Sequence, residues 1–462
     1  MSARTDTTGS APIARLTEGP VESTLLRMAF PMMLGIIAIL FFGLVDTFYI
    51  GKLGSNELAA MGFCFPMIFI IMSMAFGMGM GVSSLVSRAI GKGDYHEVRL
   101  LTTQGLILSL LMVMVVSSIG FFTIDPLFTA LGAPPDVLPF IRQYMVIWYP
   151  GIALLVFPIV GNNALRATGD AKTPSMIMII SGLINAALDP FLIFGIGPFP
   201  RLEMLGAAVT SVIAWSFSTI VILYILRFRE DMLEWKNSSL SEIWSSWKRI
   251  LYIGLPAAGT NMLVPLSTGI LTRIIAGFGT VAVAGYGVGT RIEGLSLIGI
   301  TALSTVLMPF IGQNAGARRF ERVTQALQYS FRFSVYWGLA AIVILFFFAV
   351  PLAGIFSDDL AVQETIILFL RIIPLSYVTT GMALFVGSAF IAIHKPLYTT
   401  YIIVIRLFVL AVPLAYIGSK LFGLTGVFIG IAVADLLIGA IALLLVRKFQ
   451  HFCHECSPAE TV

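Results

Sequence analysis

Long apolar runs recur along this chain from residue 24 onward, separated by short polar breaks. About 20 apolar residues in a helix cross roughly 30 Å of hydrocarbon, so each run predicts a membrane-spanning helix. Twelve are predicted, at 24–50, 57–86, 100–123, 138–160, 173–197, 204–227, 250–276, 281–311, 324–349, 361–391, 397–418 and 423–446. Barrel strands would instead alternate over about ten residues, and a lone segment in lipid must satisfy its backbone within itself, as a helix does. The expected fold is an all-α polytopic membrane protein of twelve transmembrane helices in two six-helix lobes.

Composition removes the soluble alternative. The chain is 58% hydrophobic and 11% charged, against about 25% charged residues in soluble domains. The net charge of +4 does not point to nucleic acid, and the placement of the basic residues matters more. One set of loops and tails holds about twenty of them, including Arg88, Lys92, Arg166, Lys172, Arg227 to Arg249, Arg318, Arg319 and Arg447; the other holds Lys52, Arg142, Arg201 and Lys420. Positive loops stay inside, so both termini are expected in the cytoplasm, with the chain a multi-pass monomer in the plasma (inner) membrane. Residues 1–23 and 448–462 read as cytoplasmic tails, the first of them flexible. Cys453 and Cys456 beside His451 and His454 are metal-ligand types, but a single CxxC is weak evidence; no metal is expected.

The polar stretch Arg227 to Arg249 divides the chain into lobes at 24–227 and 250–447, with 228–249 as linker. The halves look like repeats. Pro31 meets Pro256, Gly54 meets Gly279, Gly91 meets Gly316 and Val98 meets Val323 at one constant offset. With six helices each, the halves enter the membrane in the same direction and are expected to share a pseudo-two-fold axis. In that register Asp46 faces Leu271 and Asp189 faces about Val412. The fold is duplicated, and the acids are not.

An intramembrane carboxylate costs about 2.5–3.5 kcal/mol on insertion scales, so Asp46 and Asp189 are functional candidates. Both lie about 8–12 Å from the outer ends of their helices, and Tyr144 and Thr210 fall at comparable depth on two others. Asn185 shares a helix face with Asp189 at i, i+4, and Pro190 frees the Ala186 carbonyl beside them. The set Asp46, Tyr144, Asn185, Asp189 and Thr210 is the expected proton or cation site; the plainer reading is hydrogen-bonded helix glue. Pro31 is a hinge candidate or a static kink. Arg291 and Glu293, with Arg371, Arg406 and Asp435 also within spans, are expected to supply a fixed ion pair in the second half, the Arg291/Glu293 pair first and Asp435 without an assigned partner, or else a secondary cation or substrate site. The glycines at 77–81 and 285–289 suit close helix packing. No GxxxxGK[ST] motif occurs, so any transport must draw on a gradient or run downhill, and no cofactor is expected beyond a coupling H⁺ or Na⁺.

At this point the chain resembles the multidrug and toxic compound extrusion (MATE) transporters over nearly its whole length. The stretch Asp46 to Gly54 (DTFYIGKLG) looks like the family's helix 1–2 signature, and Leu165 to Pro174 (LRATGDAKTP) like its loop 4–5 signature. Asn185 to Pro190 and Gly206 to Ala208 match helices 5 and 6. The pattern is similar to the prokaryotic DinF-like branch, in which an amino-lobe cluster binds the coupling ion; the resemblance maps it to Asp46, Tyr144, Asn185, Asp189 and a helix 6 hydroxyl, either Thr210 or Ser211. Helices 7 and 10 here carry only Glu364, near an end, which argues against a carboxy-lobe Na⁺ site. The resemblance implies a secondary active efflux transporter that exports amphipathic, often cationic compounds by antiport with H⁺, or Na⁺, through alternating access. The alternative is a lipid-linked saccharide flippase of the same superfamily. An enzyme is not expected, since the GxGD motif of intramembrane aspartyl proteases is absent.

Overall fold

The computed structural model describes residues 14–234 and 238–455, with the side chains of 450–455 outside the described set; the Cys453–Cys456 tail and much of the 1–23 tail therefore lie outside it. All described regular structure is helical. In the first half these are α1 (Val21–Gly51), α2 (Ser55–Lys92), α3 (Tyr95–Phe122), the short α4 (Ile124–Ala130), α5 (Leu138–Ala167), α6 (Lys172–Phe194) and α7 (Met204–Tyr224). The second half has α8 (Leu240–Ala276), α9 (Thr280–Ser296), α10 (Ile298–Gly316), α11 (Phe320–Phe356), α12 (Leu360–Ile372), α13 (Tyr377–Ala392), α14 (Pro396–Val404) and α15 (Val412–Glu455).

Eleven helical stretches among the described residues are long and apolar enough to cross a membrane. The last, Pro396–Phe449, makes two passes. Its helix breaks at Phe422 and Gly423, where Gly423 has a φ of +61°. The chain then folds back so closely that a Cβ on Gly418 would stand 2.0 Å from the Gly426 carbonyl oxygen. Twelve passes result, as the apolar runs predict.

Within each half the helices pair in the same scheme. In the first, α5 is the centre, packed against α2, α3 and α7, with α6 on α7 and α2 on α3. In the second, α12 and α13 take that place against α9, α10, α11 and α15, and the segment Ile405–Ala411 packs on α15. The predicted span at 281–311 is interrupted at Leu297, between α9 and α10, and that at 361–391 by a tight turn at Ile373–Ser376 that contains Pro374. Proline cannot donate a helical hydrogen bond, which accounts for the second break.

The chain divides into two compact units. One comprises Leu34–Ala258 with the described residues up to Glu18; the other comprises Gly19–Met33 and the described residues from Gly259 onward. Helix α1 is thus divided two residues after Pro31, and α8 two residues after Pro256. Close packing in the first unit rests on small residues. A Cβ on Gly77 would stand 2.4 Å from the Ala258 amide nitrogen, and one on Gly81 3.0 Å from the Ile250 carbonyl. In the second, Gly285 and Gly289 admit Thr365 and Phe369 in the same way.

The polar stretch at mid-chain is structured where described. Ser239 and Glu242 form a reciprocal cap, Ser239 N donating to Glu242 Oε2 (2.8 Å) and Glu242 N to Ser239 Oγ (3.3 Å), which starts α8 inside the expected linker. Arg99 pairs with Asp231, Arg249 with Glu97 (2.6 Å), and Trp247 Nε1 donates to Gln104 Oε1 (3.1 Å). These contacts fasten the stretch to the start of α3.

Candidate functional site

Four helices of the first unit carry the predicted polar residues at one level. Asp46 stands five residues before the end of α1 and Asp189 five before the end of α6; Tyr144 and Thr210 each stand six residues into α5 and α7. At 1.5 Å per residue this is a layer about 8–9 Å below the helix ends. Its tightest contact joins α6 to α7. The Thr210 hydroxyl lies 2.5 Å from Asp189 Oδ1 and 2.9 Å from the Ala207 carbonyl oxygen. Asn185 Nδ2 is 3.4 Å from both Thr210 Oγ1 and Ser211 Oγ. Of those two hydroxyls, only Thr210 reaches the acid.

Burial is deep. Asp189 and Thr210 are wholly buried and Tyr144 nearly so, whereas Asp46 and Asn185 keep some accessible surface. Asp46 lies within electrostatic range of Asp189, and Tyr144 within range of both. Each acid also keeps one buried oxygen, Asp46 Oδ1 and Asp189 Oδ2, with no hydrogen-bond partner among the described residues. Burying an unpaired carboxylate is costly, so this pair of oxygens is suited to receive a positive charge. The donor set is two carboxylates, an amide and hydroxyls. That fits a proton or a hard monovalent cation, and no group of three or more His, Cys, Asp or Glu residues fit to hold a metal ion occurs among the described residues.

The five predicted residues are therefore brought into one cluster. Sequence reasoning missed Cys64 of α2, which is fully buried and within electrostatic range of Tyr144; a lone cysteine in an apolar run offers no signal for this. Pro31 lies fifteen residues from Asp46 within the continuous α1 and does not join the cluster.

The second half holds a different polar group. Arg406 grips Asp435 through Nε to Oδ1 (2.6 Å) and Nη2 to Oδ2 (3.0 Å), and Thr380 Oγ1 donates to Asp435 Oδ2 (3.3 Å). An ion pair in this half exists, but among the described residues it joins Arg406 to Asp435 and not Arg291 to Glu293. Arg291 and Arg371 are exposed on their helices, Arg371 lying over the Phe346 ring at 5.3 Å.

At the cytoplasm-predicted end, the loop signature has a structural basis. Asp170 accepts from Thr173 N (2.9 Å) and Thr173 Oγ1 (2.6 Å), and it pairs with Arg229 just past α7. Burial alone would raise its carboxyl, but these hydrogen bonds and the Arg229 charge hold it below the ordinary range.

The profile of the family described as MatE matches the chain twice, at residues 31–191 and 256–417, so the two matches begin 225 residues apart and end 226 apart. The chain is 39% identical over 433 residues to the "FAD transporter" of Shewanella oneidensis, covering 94% of this chain and 96% of that one. It is 27% identical to the "Probable multidrug resistance protein YoeA" of Bacillus subtilis, over 88% and 89% of the two chains. Among solved structures, the Vibrio cholerae MATE transporter VcmN in its bent form matches with a TM-score of 0.90 at 28% identity, over 95% of this chain and 99% of the other.

Proposed function

Starting from the fact that the chain belongs to the MatE family of membrane transporters and is not an enzyme, we propose that it is a proton-coupled antiporter that exports organic solutes across the plasma membrane. Asp46, Tyr144, Asn185, Asp189 and Thr210 bind the coupling proton, and both termini face the cytoplasm.

The observation that carries this reading is the position of the Thr210 hydroxyl. It has a single hydrogen and two acceptor neighbours, Asp189 Oδ1 and the Ala207 carbonyl. A carbonyl can only accept. With Asp189 ionised, the hydroxyl turns its hydrogen to the carboxylate and leaves the carbonyl. With Asp189 protonated, the acid donates to Thr210, which donates onward to Ala207, and all three groups are satisfied. One proton thus switches the direction of the chain of hydrogen bonds and joins α6 to α7 in two distinct ways. Such a two-state element is what alternating access requires.

Two substrate classes follow from relatives and differ in charge. The multidrug relatives favour amphipathic organic cations, the class expected from the sequence. The 39% identity to a protein named FAD transporter, across almost all of both chains, favours a flavin dinucleotide, which is anionic. Energetics separate them. A charge crossing 100 mV is worth about 2.3 kcal/mol. One proton exchanged for one monovalent cation moves no net charge, whereas export of an anion against an incoming proton is driven strongly by an inside-negative potential. The test is counterflow in proteoliposomes with FAD and with ethidium, under an imposed potential, a protonophore and Na⁺ removal. The proposal expects uphill transport that a protonophore abolishes and Na⁺ removal leaves intact. Acceleration by voltage assigns the anionic substrate; transport that persists with the protonophore and stops without Na⁺ overturns proton coupling.

A further inference from the structure

Helix α8 begins earlier than its counterpart in the repeat. In the register that pairs Pro31 with Pro256, Val21 at the start of α1 meets Ser246, yet α8 begins six residues before that, at Leu240. The extension, 240–245, is started by the Ser239–Glu242 cap and lies outside the span expected from residue 250. The duplicated fold does not demand it.

The first turns of α8 turn their packing inside out. Ser246, Ile250 and Ile253 are buried on one face, and Trp247 is tied to Gln104 of α3. The opposite face carries the largest side chain of the extension, Trp244, which is 57% exposed. Ser241, Ser245 and Lys248 share that face at helical spacing and are exposed as well. Tyr252 and Leu255 continue the exposed stripe into the apolar part of α8. An open groove runs along its flank, lined among the described residues by Leu240, Ser241, Ile243, Trp244 and Trp247.

The charge on this face is uncompensated. The Lys248 ammonium lies over the Trp244 ring, 5.3 Å from its centroid, and forms no ion pair among the described residues. Its neighbour Arg249 is taken up by Glu97, and Glu242 by the helix cap. At 1.5 Å per residue, Lys248 and Trp244 stand about 3 and 9 Å beyond residue 250. The headgroup layer of a bilayer is about 5–8 Å thick on each side, so the stripe passes from hydrocarbon through headgroups to their outer edge.

We propose that this face binds one anionic phospholipid. Lys248 and the hydroxyls of Ser241 and Ser245 take the phosphate, and the Trp244 ring forms a flat wall beside the headgroup. The acyl chains lie along Tyr252 and Leu255. Tryptophan and lysine suit this depth because each joins an apolar body to a polar tip. The face carries no carboxylate to receive the amine of a zwitterionic headgroup, which sets the preference for an anionic one. Its continuity with the lipid-facing part of α8 favours a lipid over a soluble ligand. Binding here depends on neither the coupling ion nor the exported substrate.

The test is native mass spectrometry of the full-length protein in detergent, titrated with phosphatidylglycerol or phosphatidylcholine carrying the same acyl chains. Wild type is expected to hold the glycerol lipid about fivefold more tightly, which corresponds to the ~1 kcal/mol of one cation near an anionic surface. Lys248→Ala should erase that preference and Lys248→Arg should keep it, while Trp244→Ala should weaken both lipids. Both side chains are exposed, so folding does not depend on them. Equal affinity of wild type for the two lipids overturns the proposal, as does an undiminished preference in K248A or unchanged binding in W244A. Displacement of the lipid by an equal concentration of glycerol 3-phosphate also overturns it, in favour of a soluble phosphate ligand. A lipid-independent dimer that W244A dissolves overturns it in favour of a second copy of the chain.

Discussion

The backbone of Gly206 on α7 rests against the backbone of Leu192 on α6: a Cβ at Gly206 would stand 2.5 Å from the Leu192 carbonyl oxygen. One turn along α7 from this contact is Thr210, and three residues back along α6 is Asp189, so the approach of the two backbones sets the hydrogen bond of the proposed site.

No side-chain rotation can relieve a methyl group at Gly206, because the obstacle is main chain. Gly206→Ala should therefore destabilise the protein by about 1–3 kcal/mol and lower transport by separating Thr210 from Asp189. Gly62→Ala, whose Cβ would meet nothing within 4 Å, should do neither. Thermal unfolding in detergent, with transport assayed in parallel, checks the pair.

Removing the Thr210 hydroxyl should abolish the switch while preserving shape. A hydrogen bond to a charged group contributes about 1.5–3 kcal/mol, so Thr210→Val should slow proton-driven transport by about tenfold or more. Thr210→Ser, which keeps the hydroxyl, should recover most of the rate. Initial rates in proteoliposomes decide this, and equal rates for valine and serine would show that the hydroxyl is idle.

The Arg406–Asp435 pair should behave as a buried ion pair. Removing one partner leaves the other charge unpaired, at a cost of about 3–5 kcal/mol. Arg406→Met alone should be severely destabilised, and the double variant R406M/D435L should regain much of the loss. A double-mutant cycle on unfolding free energy measures the coupling.

Asp170 gives a dependence on pH outside the membrane. Its carboxyl is held below the ordinary value of about 3.9 by Thr173 and Arg229 in spite of burial. A depressed carboxylate contributes stability that is fully present above its unfolded value and is lost as pH falls through its folded one. The protein should lose stability below about pH 4, and Asp170→Asn should flatten that part of the profile. Unfolding temperature against pH in nanodiscs would show it.

The helices were legible because hydrocarbon imposes length and apolarity on every pass, and the repeat because Pro31/Pro256 and Gly54/Gly279 keep one offset, which the double family match reproduces. The convergence of Asp46, Tyr144, Asp189 and Thr210 was legible through helix geometry, since depth along a helix is fixed by residue count. What stayed hidden depends on rotation about the helix axis and on pairing across helices. Nothing in the sequence assigns Arg406 rather than Arg291 to Asp435. The cap at Ser239–Glu242 was different: its S-x-x-E spacing was visible in a stretch read as linker, but the surrounding polarity masked it.

The most direct measurement is proton movement in proteoliposomes containing an internal pH dye, driven only by a substrate gradient, for wild type and Asp189→Asn. The account predicts substrate-driven proton flux in wild type and none in the asparagine variant, with that variant still exchanging labelled for unlabelled substrate at equilibrium. Proton flux at the wild-type rate in Asp189→Asn would contradict it.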